Sequence, residues 1–142
     1  MNATSAALSG AATFLWLGMV LAISFLETPL KFRAPGVTVP IGLGIGRIVF
    51  RALNLAEAVL AAVVIVAVAG GTPPVPVIVF TATAAALLTG QLTLIRPRLN
   101  RRSDRVLAGE ELPRSAAHLA YIAFEAVKVP ALFGLGISVL TV

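Results

Sequence analysis

The sequence predicts an all-α, polytopic membrane protein built as a bundle of four transmembrane helices, with both termini outside. Three observations predict this class: the composition is poor in charged residues, four long segments are apolar, and the connections between them are rich in proline and glycine. Hydrophobic residues make up 58% of the 142 residues and charged residues 12%, with a mean hydropathy of +0.99. Soluble domains carry about 25% charged residues. Because charges are costly in lipid and backbone polar groups must pair internally there, the composition indicates apolar helices in a bilayer.

The four helices follow from the positions of proline and glycine. The predicted helices cover about residues 5–30, 41–69, 75–95 and 113–141. The first closes at ETPLKFRAPG, where Pro35 and Gly36 prevent continuation, and the second stops at GGTPPVP. The third is predicted to end at Arg96-Pro97, and the fourth contains Pro130, where we expect a kink. Each supplies the roughly 20 residues that a spanning helix needs, so residues 1–142 form a single domain.

Loop charge predicts the orientation of these helices. Lys31 and Arg33 lie between the first and second helices, and an arginine cluster lies between the third and fourth. The cluster comprises Arg96, Arg98, Arg101, Arg102, Arg105 and Arg114. The GGTPPVP connection carries no charge, and neither terminus has a basic residue nearby. Since cytoplasmic loops are enriched in Lys and Arg, both basic loops are predicted in the cytoplasm, at a bacterial inner membrane.

Composition also excludes several classes of function. The net charge of +5 would suit a nucleic-acid binder, but no aromatic residues for base stacking lie among the clustered arginines, so no nucleic-acid partner is expected. The absence of cysteine excludes disulfides and thiolate metal sites, and a lone histidine provides no metal cluster. The N-terminal segment lacks the basic region of a cleaved signal peptide and is predicted to be a retained helix. Membrane lipids and further copies of the chain are the expected partners.

Polar residues interrupt the second helix in the stretch RIVFRALNLAE. Arg47, Arg51, Asn54 and Glu57 fall within about 120° of arc at 100° per residue, so they share one face. The arginines lie near the cytoplasmic boundary, where long side chains reach water, and Asn54 and Glu57 lie deeper. This pattern predicts a polar stripe in the cytoplasmic half of the bundle.

The fourth helix carries a matching stripe. His118, Tyr121, Glu125 and Lys128 fall within about 80° of arc. Two further polar residues from the first and third helices lie at a comparable level, namely Glu27 and Gln91. Polar groups from all four helices are therefore predicted to converge, and these ten residues are the candidate ligand-binding set. The lone histidine, His118, is either a boundary residue or a residue that relays protons or contacts a ligand.

Charges at this depth predict ion pairs. An unpaired charge at the bilayer centre costs about 2.5–3.5 kcal/mol on insertion scales. Glu57 and Lys128 lie at matching depth, so we predict that they pair, with Arg51 facing Glu125 or Glu27. The charges either form a structural network that fixes helix register or enclose a ligand, and four of them exceed what register alone requires.

The second helix resembles the MAPEG family (membrane-associated proteins in eicosanoid and glutathione metabolism). Its Arg51-Ala52-Leu53-Asn54-Leu55-Ala56-Glu57 run looks like the family's arginine-Ala-x-x-Asn-x-x-Glu motif, with the Asn-x-x-Glu part intact and the arginine one residue closer to Asn54. The resemblance implies a glutathione or similar thiol ligand and thiol-transfer chemistry. The family's proline after the glutamate and its tyrosines in later helices are missing here.

A second resemblance spans more of the chain. LWLGMVLAISFLETPLKFRAPG, with the following GRIVF, looks like an uncharacterised group of small bacterial four-helix membrane proteins. That resemblance implies a fold and no activity. Two hypotheses follow: an oligomeric enzyme or binder that admits an anionic or amphipathic small molecule from the cytoplasmic side, or an oligomeric transporter, channel or accessory subunit whose charges form a conduction or docking seam.

Overall fold

The computed structural model describes residues 1–112 and 116–142, which form helices joined by short turns, without a strand in either range. Four long helices are present: α1 (Ala3–Lys31), α2 (Val39–Ala69), α3 (Val75–Leu107) and α4 (Ala116–Leu140). All four are long and apolar enough to cross a membrane, by length and composition. The predicted start of the fourth helix at Pro113, and Arg114 of the arginine cluster, lie outside the described residues.

Side chains cap the first turns of α1 and α2. The Asn2 side chain accepts a hydrogen bond from the Ser5 N–H at 2.7 Å, and the Thr38 hydroxyl accepts one from the Ile41 N–H at 3.4 Å. These caps satisfy backbone donors that have no partner inside the helix. Pro40 lies in the first turn of α2, where the missing N–H costs nothing.

Two of the helices contain a stretch of π-helix just before a proline. In α1 the stretch is Leu21–Glu27, followed by Thr28-Pro29, and in α3 it is Gln91–Ile95, followed by Arg96-Pro97. A proline ring clashes with the carbonyl four residues back, and the wider π turn relieves that clash. The helix therefore continues past Pro97 to Leu107, and the prediction that it ends at Arg96-Pro97 was wrong.

The helices form a ring in which every neighbour is antiparallel. Helix α1 packs against α2 and α4, α4 also packs against α3, and α3 closes the ring on α2 with fewer contacts. Gly10 near the start of α1 faces Val139 near the end of α4, and Gly90 in α3 faces Phe124 in α4. Helices α2 and α4 consequently lie diagonally opposite, with their inner faces turned to the same central axis.

Charge is segregated along the bundle axis. Residues 1–26, 58–95 and 129–142 contain no charged side chain. We call the end where α1 and α3 begin and α2 and α4 finish the apolar end, and the opposite end, which holds Lys31 and the α3 extension Arg96–Leu107, the basic end. Many large hydrophobic side chains are exposed around the outside of the ring. Glu57, Asn54 and Lys128 are buried instead.

The interior near the apolar end is mostly apolar and also contains the buried residues Ser9 and Thr13. A core cluster there comprises Ala12, Val64, Val68, Val77, Leu135 and Val139. A second cluster lies closer to the basic end and comprises Trp16, Leu17, Val20, Ala61, Ala84, Leu88 and Leu132. Trp16 connects this second cluster to the buried polar groups, because its ring packs among apolar side chains while its indole N–H reaches a carboxylate.

Candidate functional site: a buried charged centre

Four side chains from α2, α3 and α4 meet on the central axis. The Lys128 ammonium donates to Glu57 Oε2 at 2.6 Å and to Gln91 Oε1 at 2.7 Å. It also lies 2.5 Å from Glu125 Oε1, one helical turn earlier on α4. Gln91 Nε2 donates to that same Glu125 oxygen at 2.7 Å. The predicted pairing of Glu57 with Lys128 is confirmed, and Lys128 holds two carboxylates rather than one.

Helix α1 completes the centre with two residues that sequence analysis did not select. Trp16 Nε1 donates to Glu57 Oε2 at 2.8 Å, and the Ser24 hydroxyl donates to Glu125 Oε2 at 2.6 Å. Each glutamate therefore accepts a hydrogen bond from α1 in addition to its contact with the lysine. The six residues Trp16, Ser24, Glu57, Gln91, Glu125 and Lys128 are called the charged centre below. The lone tryptophan was a detectable signal, because a buried indole N–H requires an acceptor.

The charged centre is buried except for Ser24, which is half-buried. Glu57, Gln91 and Lys128 are 0% exposed and Glu125 is 1% exposed. Its charged members are two carboxylates and one ammonium. One carboxylate oxygen, Glu57 Oε1, is buried and has no hydrogen-bond partner among the described residues. The centre therefore has one more acidic group than basic group, in surroundings where charge is expensive.

Local helix geometry explains how these residues converge. Glu125 and Lys128 are three positions apart on α4 and therefore project from one face. Gln91 begins the π stretch of α3, and Ser24 lies within the π stretch of α1. A π turn inserts one residue per turn and rotates everything beyond it. The π stretch of α1 thus contributes to placing Ser24 against Glu125, whereas Gln91 lies at the start of its stretch and was predicted from its level along the helix.

A second polar layer lies on the basic side of the charged centre. The Tyr121 hydroxyl donates to Asn54 Oδ1 at 3.5 Å, a weak contact. The Arg96 guanidinium lies over the Tyr121 ring at 4.6 Å and over the Phe50 ring at 5.0 Å, and the two rings meet edge to face at 5.8 Å. This aromatic layer, formed by Phe50, Asn54, Arg96 and Tyr121, separates the charged centre from the basic end.

The remaining predicted site residues lie at the basic end. Arg47 pairs with Asp104 of the α3 extension, and Glu27 lies 3.7 Å from Lys31. Arg51 and His118 are exposed. The prediction that Arg51 faces Glu125 or Glu27 was wrong, because Glu125 binds Lys128 and Glu27 lies beside Lys31.

Helix geometry explains why Arg51 is separated from Glu57. The two residues lie at opposite edges of the arc that the stripe occupies, about 120° apart around the α2 axis. The interior lies on the side of Glu57, which is 0% exposed. The ten predicted residues consequently divide into a buried group, an aromatic layer and a surface group.

No cluster of potential metal ligands is found in the described part of the chain. No three His, Cys, Asp or Glu side chains cluster within residues 1–112 and 116–142. The groove beside the centre, between α1 and α4, is lined by apolar residues, namely Leu21, Phe25, Ala126, Val129 and Pro130. No family model, curated protein or solved structure matches the chain. Function is therefore inferred from the charge and geometry of the centre.

Proposed function

We propose that this protein is a multi-pass membrane transport protein, or a subunit of one, whose charged centre binds and releases a proton. The observation that carries the proposal is the buried excess of one carboxylate: Glu57 and Glu125 share the single ammonium of Lys128. Leaving a net charge in a low-dielectric interior is costly. A proton on either glutamate neutralises the centre without changing its volume.

The packing of the centre favours a proton over a larger cation. Its contacts are already 2.5–2.8 Å long, and only two carboxylates are present to coordinate a metal. Glu57 Oε1, which has no hydrogen-bond partner in the described residues, provides an oxygen on which a proton can reside. Exchange of that proton requires only a small rearrangement of the lysine between its two carboxylate partners.

The proposed position of the protein in the membrane is inferred from the distribution of charge along the bundle. The four apolar helices span a bacterial inner membrane, with the basic end in the cytoplasm and both termini outside. Glu57 lies 12 residues before the end of α2, which corresponds to about 18 Å from the apolar end. In a hydrocarbon core about 30 Å thick, the charged centre thus lies on the cytoplasmic side of the midplane.

The helices around the charged centre contain irregular backbone. Such backbone is compatible with a site whose hydrogen bonds change when a proton binds or leaves. Ser24 and Gln91 belong to π stretches, and Pro130 lies two residues after Lys128 inside α4. π-bulges and helix-breaking residues recur where membrane helices perform functions, because neighbouring groups satisfy the freed backbone. In α1 the Thr28 hydroxyl does so by donating to the Ile23 carbonyl at 2.8 Å.

Proton flux in reconstituted vesicles tests this function. The purified protein is placed in liposomes containing a pH-sensitive dye, and a potassium diffusion potential is applied. We expect acidification that depends on the protein and is lost in Glu57→Gln and in Glu125→Gln. Glu110→Gln is the matched control, because this exposed glutamate lies outside the centre and binds Arg105. Flux that is absent from the native protein, or unchanged in both centre variants, would contradict the proposal.

Binding of an anionic amphiphile at the basic end is a second candidate function. Arg51 is exposed and forms no ion pair in the described part of the chain, so its guanidinium is accessible to a carboxylate, thiolate or lipid phosphate. The MAPEG-like motif motivates glutathione as the first probe. Glutathione binding that is lost in Arg51→Ala would support this candidate, and binding that survives in that variant would remove it. The exposed apolar residues around the ring are expected to contact lipid or further copies of the chain.

A further inference from the structure

Two buried hydroxyl groups lie between the charged centre and the apolar end. Ser9 and Thr13 of α1 are both 0% exposed, and neither hydroxyl has a hydrogen-bond partner among the described residues. Three threonines of α3 behave differently, although Thr81 Oγ1 on the same helix is also buried without a partner among the described residues. Thr83, Thr89 and Thr93 of α3 each donate to the carbonyl four residues earlier, at 2.7–2.8 Å. Ser9 and Thr13 differ from Thr81 in that both residues are fully buried, whereas Thr81 is half-buried.

The two hydroxyls are aligned with the charged centre. Ser9, Thr13 and Trp16 are spaced by four and three residues and lie on the buried face of α1. The rise from Ser9 to Thr13 is about 6 Å and that from Thr13 to Trp16 about 4.5 Å. Trp16 in turn donates to Glu57, whose second oxygen is also buried without a partner. Three unpartnered oxygens thus follow the bundle axis from near the apolar end to the centre.

Hydroxyls in this environment are unfavourable unless something binds them. A buried hydroxyl without a hydrogen bond costs about 1–3 kcal/mol, and alanine or valine would avoid that cost. The residues around this level are apolar, including Val64, Val77 and Leu135. Buried water typically makes about three hydrogen bonds to such polar groups. Ser9, Thr13 and Glu57 together provide the donors and acceptors for that role.

We infer that Ser9 and Thr13 line a narrow hydration site through which water carries protons between the apolar end and Glu57. This inference rests on the proposed function, since it provides the centre with access to the side opposite the arginines. A proton moves by passing from one water to the next along the two hydroxyls and then to Glu57 Oε1, so no other reactant is needed. On the basic side, the Phe50, Asn54, Arg96 and Tyr121 layer covers the centre.

Cysteine accessibility tests the hydration site without relying on transport. The chain contains no cysteine, so the modification of an introduced cysteine is measured without background from native cysteines. Thr13→Cys is compared with Ala12→Cys, its buried neighbour, which belongs to the apolar cluster. We expect a small, water-soluble methanethiosulfonate reagent to modify Thr13→Cys about tenfold faster, because modification requires both water and a thiolate. Equal rates at the two positions would overturn the inference.

Proton flux provides the second measurement. Thr13→Val removes the hydroxyl and keeps the shape, so we expect about tenfold slower flux with folding intact, because replacement of an unpaired buried hydroxyl by an apolar group is tolerated. Thr89→Val on α3 is the control, since that hydroxyl is bonded to its own helix. Unchanged flux in Thr13→Val would overturn the inference. If the reagent modifies Thr13→Cys rapidly but proton flux is unchanged in Glu57→Gln, the proposed function is contradicted, whereas the hydration site is supported.

Discussion

Glu57 and Lys128 are 71 positions apart in the sequence, and their side chains meet at 2.6 Å on the axis of the bundle. The same ammonium lies 2.5 Å from Glu125, so it is shared between two carboxylates. The consequences of mutation therefore depend on the charge balance that remains. Removal of either glutamate leaves one carboxylate and one ammonium, whereas removal of the lysine leaves two carboxylates facing each other.

This balance predicts an unequal effect of single substitutions. Lys128→Met should lower the free energy of unfolding by about 3–5 kcal/mol, the cost of breaking a buried ion pair from one side. Glu57→Gln and Glu125→Gln should each cost about 1 kcal/mol or less, because the amide keeps a hydrogen bond, the lysine keeps a carboxylate and the excess negative charge is removed. Thermal unfolding in detergent measures the difference, with Glu110→Gln as the exposed control. Equal stability of the lysine and glutamine variants would contradict the shared arrangement.

The double variant Glu57→Gln/Glu125→Gln provides a further test of sharing. It leaves Lys128 buried without a carboxylate, so its destabilisation should exceed the sum of the two single effects. Coupling of contacting residues in such a network amounts to about 0.5–3 kcal/mol. The measurement is the same detergent unfolding experiment, applied to all four corners of the mutant cycle. Simple additivity would mean that each glutamate has its own independent partner.

Intrinsic fluorescence should report the state of Glu57. Trp16 is the only tryptophan, and its indole N–H donates to Glu57 Oε2 at 2.8 Å. Protonation of that carboxylate weakens a charge-assisted hydrogen bond, so the emission should change during a pH titration. The transition should disappear in Glu57→Gln and persist in Glu110→Gln. A transition that survives the loss of Glu57 would assign the titrating group elsewhere.

Single cysteines also test the proposed orientation. Thr141→Cys lies at the apolar end and Ala108→Cys follows the α3 extension at the basic end, and both native residues are exposed. In intact cells, a membrane-impermeant maleimide should label Thr141→Cys directly and Ala108→Cys only after permeabilisation. The cysteine-free parent chain is the control. Labelling with the reverse pattern would place the arginines outside.

Much of the fold can be predicted from residue order alone. The lengths of the apolar segments and the positions of proline and glycine predict four helices, and the described residues form four helices long and apolar enough to cross a membrane. The depth of Glu57 and Lys128 within their helices was sufficient to predict their pairing. These features can be predicted from each helix separately. They depend on the length of the helix, on its 3.6-residue repeat and on how far a residue lies from the end of the helix. Membrane insertion and orientation stay predictions of the sequence pattern.

The tertiary structure decided which residues share the centre. A uniform rotation of 100° per residue placed Arg51 with Glu57, but the interior lies at the other edge of that arc, so Arg51 is exposed. Trp16 and Ser24 join through packing of α1 between α2 and α4, which no single-helix pattern contains. The π stretches of α1 and α3 change the rotation of everything beyond them. Residue order therefore determined the depth of the charges along each helix, and only helix packing and π turns decided which charges meet.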